Sequence, residues 1–154
     1  MQAGYSAERD RAILLQNLWY DLKMTAGISL PIRIGVSPTL GIRGVIATEK
    51  IKKDAVIEHC PALIFPKNPE IIEQTVFEYY VFDWDEGHEA MALGYGSLYN
   101  HSYERNVSVD FDYEKKEILF SALREIEIGE ELFINYNDDS NEPIDPNYLS
   151  FDKN

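Results

Sequence analysis

Three hydrogen-bonding side chains stand in a row at Asn100, His101 and Ser102, inside LGYGSLYNHSYERN (93–106). Gly94 and Gly96 precede them, and Tyr95, Tyr99 and Tyr103 are interleaved. Asn and Ser compete with the backbone for hydrogen bonds and favour turns, and glycine releases φ. Taken alone, the run is an Asx-type turn capping its own backbone. Next to apolar Leu93 and Leu98 it is also a place to bind something. A second stretch, IGEELFINY (128–136), reads as a tight turn at Gly129 feeding a buried strand that ends on Asn135 and Tyr136. No Ser-His-Asp or Cys-His set is apparent. His59 lies in an apolar strand and reads as structural. His88 sits between acids at a hairpin tip, with no second ligand pair at metal-binding spacing, so no metal site is expected.

Together the two stretches resemble the signature motifs of SET-domain protein-lysine methyltransferases. Those motifs are an Asn-His-Ser-x-x-Pro-Asn loop and a Gly-Glu-Glu-Leu strand ending in tyrosine. Here they occur in that order, about thirty residues apart, with Arg105 in place of the proline and Asn106 closing the loop. Upstream, Leu40-Gly-Ile-Arg-Gly-Val-Ile-Ala47 resembles the family's Gly-x-Gly turn before an apolar strand, with the glycines one residue further apart. EYYVFDWD (78–85) resembles its Tyr-x-Phe segment. The resemblance covers Ile32 to Tyr136. It implies a β-rich fold, mainly β with short helices: a SET-domain β-clip with a C-terminal pseudoknot.

The resemblance also implies S-adenosyl-L-methionine as cofactor. It assigns Arg43, Gly44, Val45, Tyr99, Asn100 and His101 to the cofactor, although Arg43 by itself is an ordinary solvated turn residue. Tyr136 takes the central catalytic role, and Tyr80, with Tyr79 as the alternative, orients the amine. Tyr79, Tyr95, Ile134 and Tyr148 fall on the substrate side. Ile134 stands where the family places an aromatic that influences how many methyl groups fit. Glu130 and Glu131 brace the loop rather than perform acid–base work. Methyl transfer to lysine needs a neutral amine. With a free pKa of about 10.4, deprotonation at pH 7 costs about 4–5 kcal/mol. An apolar, aromatic channel lowers that pKa, and tyrosine rings tolerate the cationic side chain while excluding water.

At 154 residues, 45% hydrophobic and 27% charged, the chain has the composition of one ordinary globular domain. Cys60 is its one cysteine, which excludes an internal disulfide and a cysteine-based zinc site and suits a reducing, intracellular compartment, cytoplasmic or nuclear. A net charge of −13 argues against nucleic-acid phosphates and a membrane anchor is not expected; basic, lysine-containing protein partners such as histone tails fit better. The non-catalytic alternatives are a module capturing lysine peptides and an acidic interaction protein.

The elements that must position these residues follow in order. Residues 1–28 form a helical extension, capped at Ser6 and stopped at Gly27, whose apolar stripe suits docking on the domain or in a homodimer. The SET-like domain spans 29–137. Strands are predicted at Ile32–Ser37, at Gly44–Ala47 and at Ala55–Phe65 with a bend at Pro61. A short helix runs from Glu70 to Val76, and Glu78–Asp85 is a strand by its aromatic content. Val107–Phe111 and Ile118–Leu123 form a hairpin. The acidic tail, 138–154, carries Tyr148, Leu149 and Phe151, which serve as a channel lid or as a frayed end.

Overall fold

The computed structural model describes residues 29–72 and 75–137, with Ile71 described by its backbone alone. The N-terminal helix, the tail and Tyr148 lie outside the described residues. Two sheets are present among them. The first contains β1 (Ile32–Val36), β2 (Arg43–Ala47), β9 (Glu131–Ile134) and β6 (Asn100–His101), in that order. The second runs β4 (Val81–Asp85), β5 (His88–Ala92), β3 (Val56–Pro66), β8 (Glu117–Ala122) and β7 (Val107–Asp112).

The predicted strands correspond to elements of these sheets. β1 and β2 pair antiparallel with Ile34 opposite Val45 and Gly35 opposite Gly44. Their turn closes through Ser37, whose amide donates to the Ile42 carbonyl (2.7 Å) and whose Oγ accepts the Leu40 amide (2.8 Å). β3 pairs with β8 from Val56 to Pro61 and with β5 from Ala62 to Pro66. Pro61 stands where the partner changes; proline has no N–H to give a ladder. Residues alternate along β8, with Ile118, Phe120 and Ala122 buried, as a half-covered strand requires. The β7–β8 hairpin turns on Asp112, whose carboxylate accepts the Lys115 amide (2.9 Å). His59 faces outward, 3.2 Å from the Glu117 carboxylate.

The 70–85 region departs from the sequence reading. The helix there is limited, among the described residues, to α1 (Pro69–Ile72). The aromatic run does not begin as a strand: Val76–Tyr79 is a 3₁₀ turn, and β4 starts only at Val81. Thr75 caps that turn by accepting the Phe77 amide (3.3 Å), and the Tyr80 amide closes it on the Phe77 carbonyl (2.9 Å). Local capping outweighs the β propensity of the tyrosines.

The strand β9 inserts between β2 and β6, although the β7–β8 hairpin separates it from β6 in the chain. It pairs antiparallel with β2 through Val45–Leu132 and parallel with β6 through Asn100–Phe133 and His101–Ile134. The Ser102 amide donates to the Ile134 carbonyl (2.9 Å). Asn106, buried, spans the loop: Nδ2 donates to the Glu131 carbonyl and Oδ1 accepts the Phe133 amide, both at 2.8 Å. This interleaving is the C-terminal pseudoknot.

Beneath it, Tyr99 stacks on Phe120 at 4.6 Å. Gly96 fits the same layer because a Cβ there would lie 2.6 Å from the Ala92 Cβ and 2.7 Å from both Cys60 Sγ and Phe120 Cε2. Gly96→Ala is therefore expected to cost about 1–3 kcal/mol in urea unfolding. An unchanged midpoint would show that the 95–99 turn can shift outward freely.

Candidate active site

The end of β9 carries Asn135 and Tyr136 past the loop that β6 opens. The Tyr136 amide donates to His101 Nδ1 (3.1 Å), and the two rings lie 5.3 Å apart. The Tyr136 hydroxyl donates to the Tyr99 carbonyl (2.8 Å). With its proton committed there, the phenol oxygen serves its other neighbours as an acceptor. Tyr136 is 40% exposed, unlike Tyr99, which is fully buried.

His101 is buried, and burial pushes its imidazole pKa below the ordinary value, so the ring is neutral at pH 7. Nδ1 accepts the Tyr136 amide, which leaves the proton on Nε2. Nε2 is buried and has no hydrogen-bond partner among the described residues. Tyr103 flanks the ring edge-on at 4.5 Å.

Asn100 joins β6 to β2. Its Nδ2 donates to the Arg43 carbonyl and to Glu131 Oε1, both at 2.8 Å. Both amide protons are spent within the protein, so it can offer a ligand its carbonyl oxygen and its backbone. Glu131 is buried and also accepts from the Ser37 hydroxyl. Gly44 packs directly against Glu131 and the Asn100 amide. Val45 is fully buried between β1 and β9. Arg43 reaches the other way: Nη2 donates to the Tyr80 hydroxyl (2.7 Å), and the guanidinium lies 5.8 Å from that ring's centre.

A cleft of about 730 Å³ opens beside Tyr136. Tyr79 and Tyr80 from the 3₁₀ turn and its end, Tyr99, Tyr113, Ile134 and Tyr136 give it an aromatic and apolar lining. Glu78, Asp83 and Glu89 add acidic groups. Five of the residues singled out in the sequence thus share one cleft: Tyr79, Tyr80, Tyr99, Ile134 and Tyr136. Arg43, Gly44, Val45, Asn100 and His101 lie outside its lining, clustered around the β2–β9–β6 strands. Tyr95 is not in the lining either; its amide donates inward to Glu58 (2.8 Å). Sequence reasoning missed Ser37 and Glu58, two buried polar residues. Ser37 reads locally as a strand breaker before Pro38, and Glu58 as one charge in an apolar strand.

A family model for the SET domain matches residues 42–137. The H3 lysine-37-specific histone-lysine N-methyltransferase of Schizosaccharomyces pombe is 42% identical over 100 residues, covering 62% of this chain and 67% of that protein. A Plasmodium falciparum structure with a provisional assignment as a histone methyltransferase aligns at 29% identity with a TM-score of 0.55, over 68% of this chain and 96% of that one. ctPRC2, the Chaetomium thermophilum Polycomb Repressive Complex 2, in an autoinhibited conformation bound to S-adenosylmethionine, aligns at 22% identity with a TM-score of 0.58, over 76% of this chain and 16% of that one. At that identity the likeness concerns the fold alone. A matching family model over most of the chain, a close relative and a shared fold lead to one conclusion: the chain belongs to the SET-domain family of protein-lysine methyltransferases.

Proposed function

We propose that the protein transfers a methyl group from S-adenosylmethionine to the side-chain amine of lysine in a basic protein segment, a histone tail being the substrate class. The observation that carries this reading is the Tyr136 hydroxyl, tied to the Tyr99 carbonyl at the mouth of a tyrosine-lined cleft. The net charge of −13 and the acids Glu78, Asp83 and Glu89 suit a cationic partner. The histone specificity of the S. pombe relative points the same way and would place the activity in the nucleus.

The residues fit the cofactor. The buried Nε2–H of His101 is a donor that needs an acceptor, which a nucleoside or a carboxylate can supply. Asn100, His101 and the backbone near Gly44 would hold it, with Tyr99 beside them. When bound, S-adenosylmethionine supplies a sulfonium methyl group as electrophile.

The chain's own residues act on the amine. The half-buried Tyr79 and Tyr80 rings shield the amine from water, which favours its neutral form. The Tyr136 oxygen, an acceptor, takes an N–H of the incoming nitrogen and so aims its lone pair. As the nitrogen gains positive charge, the same oxygen stabilises it. Tyr80, fixed by Arg43, orients the amine from the cleft wall.

A thermal melt tests the cofactor reading. Saturating S-adenosylmethionine should raise the melting temperature, with about 2.7 kcal/mol gained at a hundredfold excess over Kd. Methyl incorporation into core histones, followed by mass spectrometry, tests the substrate class. A flat melt at millimolar cofactor overturns the proposal.

A further inference from the structure

Glu58 is a buried carboxyl with no part in the scheme above. It is 5% exposed and lies on β3, where the register with β8 shifts. Among the described residues it has no cationic partner. Oε1 accepts the Tyr95 amide at 2.8 Å, and Oε2 lies 3.5 Å from the Tyr99 hydroxyl. Cys60, two residues on, is fully buried, and a Cβ on Gly96 would stand 2.7 Å from its sulfur. Gly94 makes the room: at φ +97° it bears no side chain, and a Cβ there would stand 2.5 Å from Glu58 Oε1. Glu58 thus receives the Tyr95 amide, at the start of the turn whose last residue, Tyr99, accepts the Tyr136 hydroxyl through its carbonyl.

We infer that Glu58 is a positioning residue for Tyr136: it anchors the 95–99 turn so that the Tyr99 carbonyl meets the Tyr136 hydroxyl.

The groups facing this carboxyl are few. From β3 comes the Cys60 thiol; from the turn, the Tyr95 amide and the Tyr99 phenol; β8 brings Glu117, whose charge is felt by Cys60. None is cationic. Desolvation accordingly raises the Glu58 pKa above its ordinary 4.5, despite the hydrogen bonds that oppose the shift. The sign follows. A carboxyl whose folded pKa is raised favours folding in its protonated form. That contribution is present at low pH and is lost as pH climbs from about 4.5 through the raised value. Once ionised, Glu58 therefore costs stability, while giving the Tyr95 amide a stronger, charge-assisted acceptor.

Glu58→Gln separates positioning from simple bracing. The variant keeps an oxygen acceptor and loses the charge. Its melting temperature at pH 8 is expected to equal or exceed the parent's, and its acid-side pH dependence of stability should flatten. kcat should fall roughly tenfold, with KM for a histone peptide within a factor of about two. Protection of the Tyr95 amide in hydrogen exchange, measured between pH 5 and 9 relative to β8 amides, should rise with pH in the parent and stay level in the variant. An unchanged kcat overturns the inference, and so does a lower melting temperature that accounts for the lost rate. Level protection in both proteins overturns it as well. The kinetic arm rests on the methyltransferase reading. The exchange arm does not, so an inactive parent with pH-dependent Tyr95 protection would count against that reading and leave the anchor intact.

Discussion

Tyr136→Phe is expected to lower kcat by about 10²–10³ while leaving the melting temperature and S-adenosylmethionine binding close to those of the parent. The hydroxyl is the one polar atom lost. In the structure it donates to the Tyr99 carbonyl, and its oxygen is the acceptor proposed to aim the lysine nitrogen. Phenylalanine keeps the ring against His101, 5.3 Å away, so the wall of the cleft persists. The Tyr136 amide bond to His101 Nδ1 is a backbone contact and persists too. The Tyr99 carbonyl loses a partner at a half-open position, where water can replace it at a cost of about 1 kcal/mol or less. Transfer to a histone peptide, quantified by mass spectrometry beside a cofactor-binding isotherm, provides the check. A variant working at the parental rate would remove Tyr136 from the mechanism.

Asn106→Ala is expected to have the largest effect on stability. Asn106 is 1% exposed, and its side chain holds β9 at two points, the Glu131 carbonyl and the Phe133 amide. Alanine leaves both groups buried without these partners, at about 1–3 kcal/mol each. A loss of about 3 kcal/mol should result, lowering the melting temperature by on the order of 10 °C. Activity should fall with it, since β9 delivers Tyr136. Asn106→Asp keeps the acceptor for Phe133 and loses the donor, so it should be destabilised as well, with added repulsion from Glu130, whose carboxylate lies 3.4 Å from Asn106 Nδ2. Urea unfolding measures both. A change below about 0.5 kcal/mol, the size of a typical surface substitution, would mean that sheet pairing alone secures β9.

Both predictions concern residues visible in the sequence, Tyr136 and Asn106. Their partners were not visible. Alternation along β8 is a local property of a half-buried strand, so that element could be read directly, whereas in β1 the same sequence alternation ends on an exposed Val36. The Asn-His-Ser and Gly-Glu-Glu-Leu stretches stand out by residue type, and their order carried the family resemblance. The 3₁₀ turn at Val76–Tyr79 was misread because the aromatic β preference is weak and a Thr75 cap next to it decides the conformation.

Residue types and their order were enough to specify the family and most of the strands, but not β5 or β6. Only the folded chain decided that β9 runs between β2 and β6, that the Asn100 amide is spent on Arg43 and Glu131, and that Tyr136 leans on the Tyr99 carbonyl. It also decided that Glu58 lies under the turn beside the cleft. The reason is physical: periodicity records which face of a strand avoids water, but it says nothing about which distant strand covers that face. Pairings across long loops are selected jointly by packing and by the pairing of buried polar groups, and both exist only once the chain has closed on itself.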